Sequence, residues 1–119
     1  MIKEFLLVGA GGALGSMLRY AGNLLYNNKS FPATTFLINI IGSFVIGIVI
    51  GCSIKNNSSL NWKLFLATGI CGGFTTFSAF SFENLSLLQE GKIFTSLLYI
   101  AGSVILGIAA AWLGLKTIN

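Results

Sequence analysis

The sequence predicts an all-α membrane protein with four transmembrane helices, the third of them broken near its middle. Three observations carry that prediction. Hydrophobic residues make up 55% of the 119-residue chain and charged residues only 8%, where a soluble domain carries about a quarter. Apolar runs recur over residues 5–26, 33–54, 62–88 and 93–115, each long enough at about 1.5 Å per residue to cross a hydrocarbon layer of ~30 Å. Short polar connectors separate them, so residues 1–119 read as one transmembrane domain with no room for an extramembrane unit. A four-helix protomer of this size cannot easily enclose a wide conduit, which points to an oligomer.

The first span carries Gly9, Gly11, Gly12 and Gly15. A nucleotide-binding loop fits poorly, because no strand precedes these glycines and no acid follows about 20 positions later. Gly11 and Gly15 instead form a small-xxx-small pair that lets two helices approach closely. The apolar run extends beyond the 7–15 residues of a typical signal-peptide core, so it reads as a retained helix. Arg19 and Tyr20 close the span, where an arginine can snorkel to the interface or face a vestibule.

The second span follows a polar connector at 27–30. Thr35, Asn39 and Ser43 recur every four residues and so share one helix face. A carboxamide in mid-membrane is costly unless its donors and acceptors are met, and the stripe suggests either interhelical glue or a pore lining, with the lining favoured. A second connector occupies 55–59, and Trp62 anchors the third span at the interface.

The third span contains Gly72-Gly73-Phe74-Thr75-Thr76-Phe77-Ser78-Ala79-Phe80. Adjacent glycines weaken a helix, and threonine hydroxyls can replace the backbone hydrogen bonds so freed. Irregular backbone at membrane depth is tolerated only where protein or a polar cavity covers it. Phe77, Phe80 and then Glu83 or Asn84 follow at helical spacing, while Glu90 falls in the loop with Gly91 and Lys92. In the fourth span Thr95, Tyr99 and Ser103 again repeat every four residues, with Gly107 next on that face. Two helices therefore carry polar stripes, which normally face a bundle interior or a water-filled path.

Charge narrows the function classes. The formal net charge is +4, but the seven cations are scattered singly and form neither a nucleic-acid patch nor a polybasic lipid site. With four spans, Lys3, Lys55, Lys63 and Lys116 share one side; Lys29 and Lys92 occupy the other, with Arg19 leaning towards it. Four against three is almost no positive-inside bias, which predicts insertion in both orientations and permits an antiparallel, dual-topology homodimer. The chain has no His and only three acids, all Glu. A Ser-His-Asp triad, a histidine metal site and a carboxylate dyad have no residues to build on, so no enzyme is expected. Cys52 and Cys71 read as small buried hydrophobes. What remains in the membrane is a set of neutral hydrogen-bond donors and phenyl rings. Ring edges with hydroxyl and amide donors suit an anion.

The run from Gly69 to Glu83 resembles the signature of the CrcB/Fluc fluoride channels. So do Gly11-Gly12-Ala13-Leu14-Gly15 with Arg19-Tyr20, Asn39-Ile40-Ile41-Gly42-Ser43-Phe44, and the spacing of Tyr99 and Ser103. The resemblance runs through nearly the whole chain in order. It departs from the family pattern at Ala79, where Thr is frequent, and at Gly107, where some members have Ser.

The resemblance implies a multi-pass protein of a prokaryotic cell membrane, an antiparallel homodimer with two pores, and passive fluoride efflux that relieves fluoride toxicity. Its implied partners are fluoride, a second copy and the lipid bilayer, with no nucleic acid or nucleotide. Phe77 and Phe80 match the pore phenylalanines, Asn39 the pore asparagine, and Tyr99 with Ser103 the polar track; Thr76 and Ser43 are counted with this fluoride pore. Arg19 matches the vestibule arginine and Glu83 the acid near one pore end. The carbonyls of Gly72 and Thr75 match those that hold a structural sodium ion at the dimer centre. A competing class is the small four-helix, dual-topology, proton-coupled exporter of cationic compounds. Such exporters resemble proteins with a titrating carboxylate in the first helix, and here no acid lies between Glu4 and the end of span one.

Overall fold

The computed structural model of the chain describes residues 1–26, 32–56 and 60–118. The connector expected at 27–30 lies outside the described residues, as does 57–59 of the one expected at 55–59; its first two residues, Lys55 and Asn56, instead belong to the second helix. The chain forms α1 (Ile2–Leu25), α2 (Ala33–Asn56) and α3 (Leu60–Lys63), which continues as a π-helical segment (Leu64–Cys71) into α4 (Gly72–Phe74). Then come α5 (Phe77–Gln89) and α6 (Ile93–Ile118). No strand occurs among the described residues.

Among the described residues, three helical stretches are long and apolar enough to cross a membrane: Ala33–Asn56, Leu60–Gln89 with its break, and Ile93–Ile118. In α1 the glycines and Arg19 dilute an otherwise similar apolar character. The molecule is 48 Å along its longest axis, enough to pass through a bilayer of about 40–45 Å including its headgroups. Burial is inverted relative to a water-soluble bundle. Phe94, Leu97, Ile105 and Ile108 are exposed, whereas Thr35, Asn84 and Ser96 are buried. An apolar exterior this extensive matches lipid as the solvent.

Without a hydrophobic force between helices in lipid, close backbone approach must hold the bundle together. Glycine supplies it at two seams. Along α1 and the π-helical segment, a Cβ on Gly11 would lie 2.9 Å from Gly69 Cα, and one on Gly15 would lie 2.7 Å from Phe74 N and collide with the Ile70 carbonyl. The small-xxx-small reading of Gly11 and Gly15 is therefore met in the packing. Along α2 and α6, a Cβ on Gly47 would strike the Ala111 carbonyl and one on Gly114 the Phe44 carbonyl. A Schellman turn joins α5 to α6: Lys92 N donates to Leu87 O at 2.8 Å, Gly91 N donates to Leu88 O at 3.1 Å, and Gly91 takes the left-handed φ of 78° that this turn requires.

Candidate ion site at the helix break

The expected irregularity is present, but it falls at the threonines and not at the glycine pair. Gly72 is helical at φ −63°, ψ −38°. The chain becomes extended at Thr75 (φ −83°, ψ 156°) and Thr76 (φ −151°, ψ 124°). The glycines serve packing instead: a Cβ on Gly73 would lie 3.0 Å from Gly12 Cα. The threonine hydroxyls bond main-chain groups on both sides of the break. Thr75 Oγ1 donates to Cys71 O at 2.8 Å, and Thr76 Oγ1 caps α5 by accepting from Ala79 N at 3.2 Å. Upstream, the backbone widens into π geometry, where Gly72 N donates to Ala67 O five residues back.

Asn39 holds the open strand of the break. Its Nδ2 donates to Thr76 O at 3.1 Å, and its Oδ1 accepts from Thr76 N at 2.9 Å. In an uninterrupted helix the Thr76 N–H would reach the Gly72 carbonyl; here it is diverted to α2. Gly42, one turn along α2, makes the approach possible, since a Cβ there would lie 3.4 Å from Phe74 Cδ2 and collide with Thr75 Cγ2. On the other side of the break Arg19 Nε donates to Gly73 O at 3.3 Å. That contact takes a carbonyl whose helical donor, Phe77 N, lies beyond the break.

A cavity of about 410 Å³ opens beside these groups. Of the residues singled out in the sequence, Asn39, Ser43, Thr76, Phe77, Phe80 and Ser103 border it, together with Gly72 and Thr75. Ser103 Oγ is buried and has no hydrogen-bond partner among the described residues. The Phe77 and Phe80 ring centroids lie 5.7 Å apart. Phe77 is 77% exposed, while Phe80 stands edge-on to Tyr99 at 4.9 Å. The wall thus combines hydroxyl and amide groups and two phenyl rings with the apolar Ile46, Ala67, Cys71 and Val104, and it carries no charged side chain.

Tyr99, Glu83 and Arg19 are not part of that wall; they brace it. Tyr99 is 1% exposed, and its hydroxyl donates to Glu83 Oε1 at 2.8 Å. Glu83 Oε2 accepts from Thr35 Oγ1 at 2.7 Å. One carboxylate from α5 therefore ties α2 to α6. Replacing Glu83 by Leu removes the acceptor that the Thr35 and Tyr99 hydroxyls share, and a loss of about 2 kcal/mol of stability is expected; Glu83→Gln, which keeps an acceptor, should lose less. Denaturant titration in detergent micelles measures both.

Sequence reasoning placed Asn84 at helical spacing after Phe80 but missed its buried partner, Ser96. Ser96 Oγ donates to Asn84 Oδ1 at 2.8 Å, and Asn84 Nδ2 donates to Phe80 O at 2.9 Å. The signal was available: Ser96 lies one turn before Tyr99, and Asn84 one turn after Phe80.

Fold and cavity together define a multi-pass helical membrane protein with an uncharged cavity of ion-accommodating size at a helix break, lined by apolar residues and a few hydrogen-bonding groups. A family model described as CrcB-like protein, Camphor Resistance (CrcB), matches residues 6–115. The chain belongs to the CrcB family. Among curated relatives, the "Fluoride-specific ion channel FluC" of Azobacteroides pseudotrichonymphae is 49% identical, covering 96% of this chain and 94% of that protein. Its namesake in Flavobacterium psychrophilum is 48% identical, covering 96% and 95%. That of a Thermus thermophilus strain is 45% identical, covering 97% and 94%.

Proposed function

We propose that this protein is a fluoride-specific channel that releases cytoplasmic fluoride passively and so limits its toxicity. The observation that carries the reading is identity of 45–49%, over nearly the full length of both chains, with proteins named for that activity. The cavity chemistry agrees with it. A small anion that sheds water needs hydrogen-bond donors and positive ring edges in place of cations that would trap it. Ser103 Oγ, Ser43, the remaining Asn39 amide hydrogen, Thr76 and the edges of Phe77 and Phe80 supply that set. Tyr99 and Glu83 hold Phe80 in place from behind.

No energy source is required. Fluoride is the base of a weak acid whose neutral form crosses bilayers, so acidic surroundings load a neutral cytoplasm with trapped anion. An inside-negative potential then drives the anion outward by about 2.3 kcal/mol per charge per 100 mV.

The working unit in this reading is an antiparallel dimer in a prokaryotic cell membrane, with α1 crossing alongside the three more apolar spans. The near-even split of cations between the two sides supports dual insertion, and the exposed Phe77 ring gives a second copy something to cover. A sodium ion at the dimer centre fits the donor set. The Gly72 carbonyl has lost its helical donor to Asn39, Thr75 lies beside it in the extended break, and hard oxygen ligands suit such a cation. When bound, the ion would supply a fixed positive charge near the anion path.

Purified protein in fluoride-loaded vesicles, with potassium and valinomycin to clamp the potential, is the direct test. Release detected by a fluoride electrode is expected. Retained fluoride together with proton flux driven by a cationic compound would instead favour an exporter.

A further inference from the structure

The carboxamide of Asn39 has a second consequence that a pore-lining role does not include. It accepts from Thr76 N at 2.9 Å and donates to Thr76 O at 3.1 Å, so both main-chain groups of one residue are held by one side chain on another helix. Without that grip the Thr76 N–H would find its acceptor by resuming helix, on the Gly72 carbonyl four residues back. Taking it would join α4 to α5 and cover the carbonyl. The Thr76 side chain does not prevent this, because its hydroxyl is already engaged with Ala79 N.

We propose that Asn39 is the positioning residue of the cation site, keeping the Gly72 carbonyl open by capturing the Thr76 N–H. The proposal rests on the sodium reading given above. It makes Asn39 the link between two functions: Oδ1 and one amide hydrogen maintain the break, and the second amide hydrogen remains for the anion path. The cation site and the anion path are then coupled through one side chain on α2. The neighbouring Ser43 borders the same cavity but makes no bond to Thr76 among those the structure gives, so it separates a role in the break from a role in the wall.

The test uses the whole protein in detergent micelles and reads thermal unfolding against sodium concentration, with N-methylglucamine as the replacement cation. The wild type and Ser43→Ala are expected to gain stability with sodium. Asn39→Ala should raise the half-saturating sodium concentration about tenfold, the equivalent of one net hydrogen bond. Asn39→Asp keeps the acceptor for the Thr76 N–H and should retain most of the sodium response. Hydrogen exchange of the segment 72–80 gives a second readout: sodium should slow it in the wild type and leave it unchanged in Asn39→Ala. Asn39→Leu, which keeps the branched shape without the hydrogen-bonding atoms, provides the same comparison if the alanine variant fails to assemble.

A wild-type sodium response in Asn39→Ala or Asn39→Leu overturns the proposal. So does Asn39→Asp behaving like Asn39→Ala, because the captured N–H would then not be what matters. A wild type indifferent to sodium overturns both this proposal and the cation reading. Fluoride release from vesicles by the same preparation keeps that outcome distinct from failure of the channel reading.

Discussion

Replacing Gly15 by valine is expected to remove the folded protein altogether. A Cβ at this position collides with the Ile70 carbonyl and lies 2.7 Å from Phe74 N and 3.1 Å from Gly73 C. All three are main-chain atoms, so no rotamer change can relieve the clash. Overpacking in an adaptable core costs about 1–3 kcal/mol and occasionally more; here α1 must move away from the segment 64–74 as a body. That would break the Arg19 contact with Gly73 O. The yield of monodisperse protein after detergent extraction should fall to background. Gly9→Ala is the matched comparison, since nothing lies within 4 Å of its added Cβ, and its yield should equal that of the wild type.

Phe80→Ile is expected to leave assembly intact and cut fluoride release at least about tenfold, or roughly 1.4 kcal/mol in barrier. The ring borders the cavity and is oriented by its edge-on contact with Tyr99 at 4.9 Å. An aliphatic side chain fills similar space but has no positive edge for an anion. It also frees Tyr99 to shift. Phe82→Ile tests whether the loss belongs to this ring: Phe82 is 69% exposed, does not border the cavity, and should release fluoride at the wild-type rate. Undiminished release from a properly assembled Phe80→Ile protein would remove the role given to that ring.

Much of this architecture is legible in the residues because membrane composition and helical periodicity are local signals. The four-residue spacing of Thr35, Asn39 and Ser43 correctly places them on one face, and all three meet the break, Glu83 or the cavity. Gly11 and Gly15 announce a seam because glycine alone allows main chain to touch main chain. The break itself was legible as a property of the stretch, but its location was not. Gly72 and Gly73 look like the weak point, yet glycine only permits a helix to end. Which N–H leaves the helix depends on a competing acceptor on another helix, and that acceptor is Asn39. The partner of Arg19 eluded the sequence for the same reason: it is a carbonyl 54 residues away, and main-chain groups carry no signature in a list of side chains. The π-helical turns at Leu64–Cys71 likewise leave no mark in the apolar pattern.

The interruption at Thr75 and Thr76 divides one long rod into two shorter ones that meet end to end. Peptide dipoles sum along each rod, leaving about half a negative charge at a C-terminus and half a positive charge at an N-terminus. The rod ending at Phe74 turns its negative end towards the gap, and α5, beginning at Phe77, turns its positive end there. A continuous helix would cancel both in its interior. The break therefore creates a bipolar junction from neutral residues, where ions of opposite sign can each find a favourable face within one turn of chain.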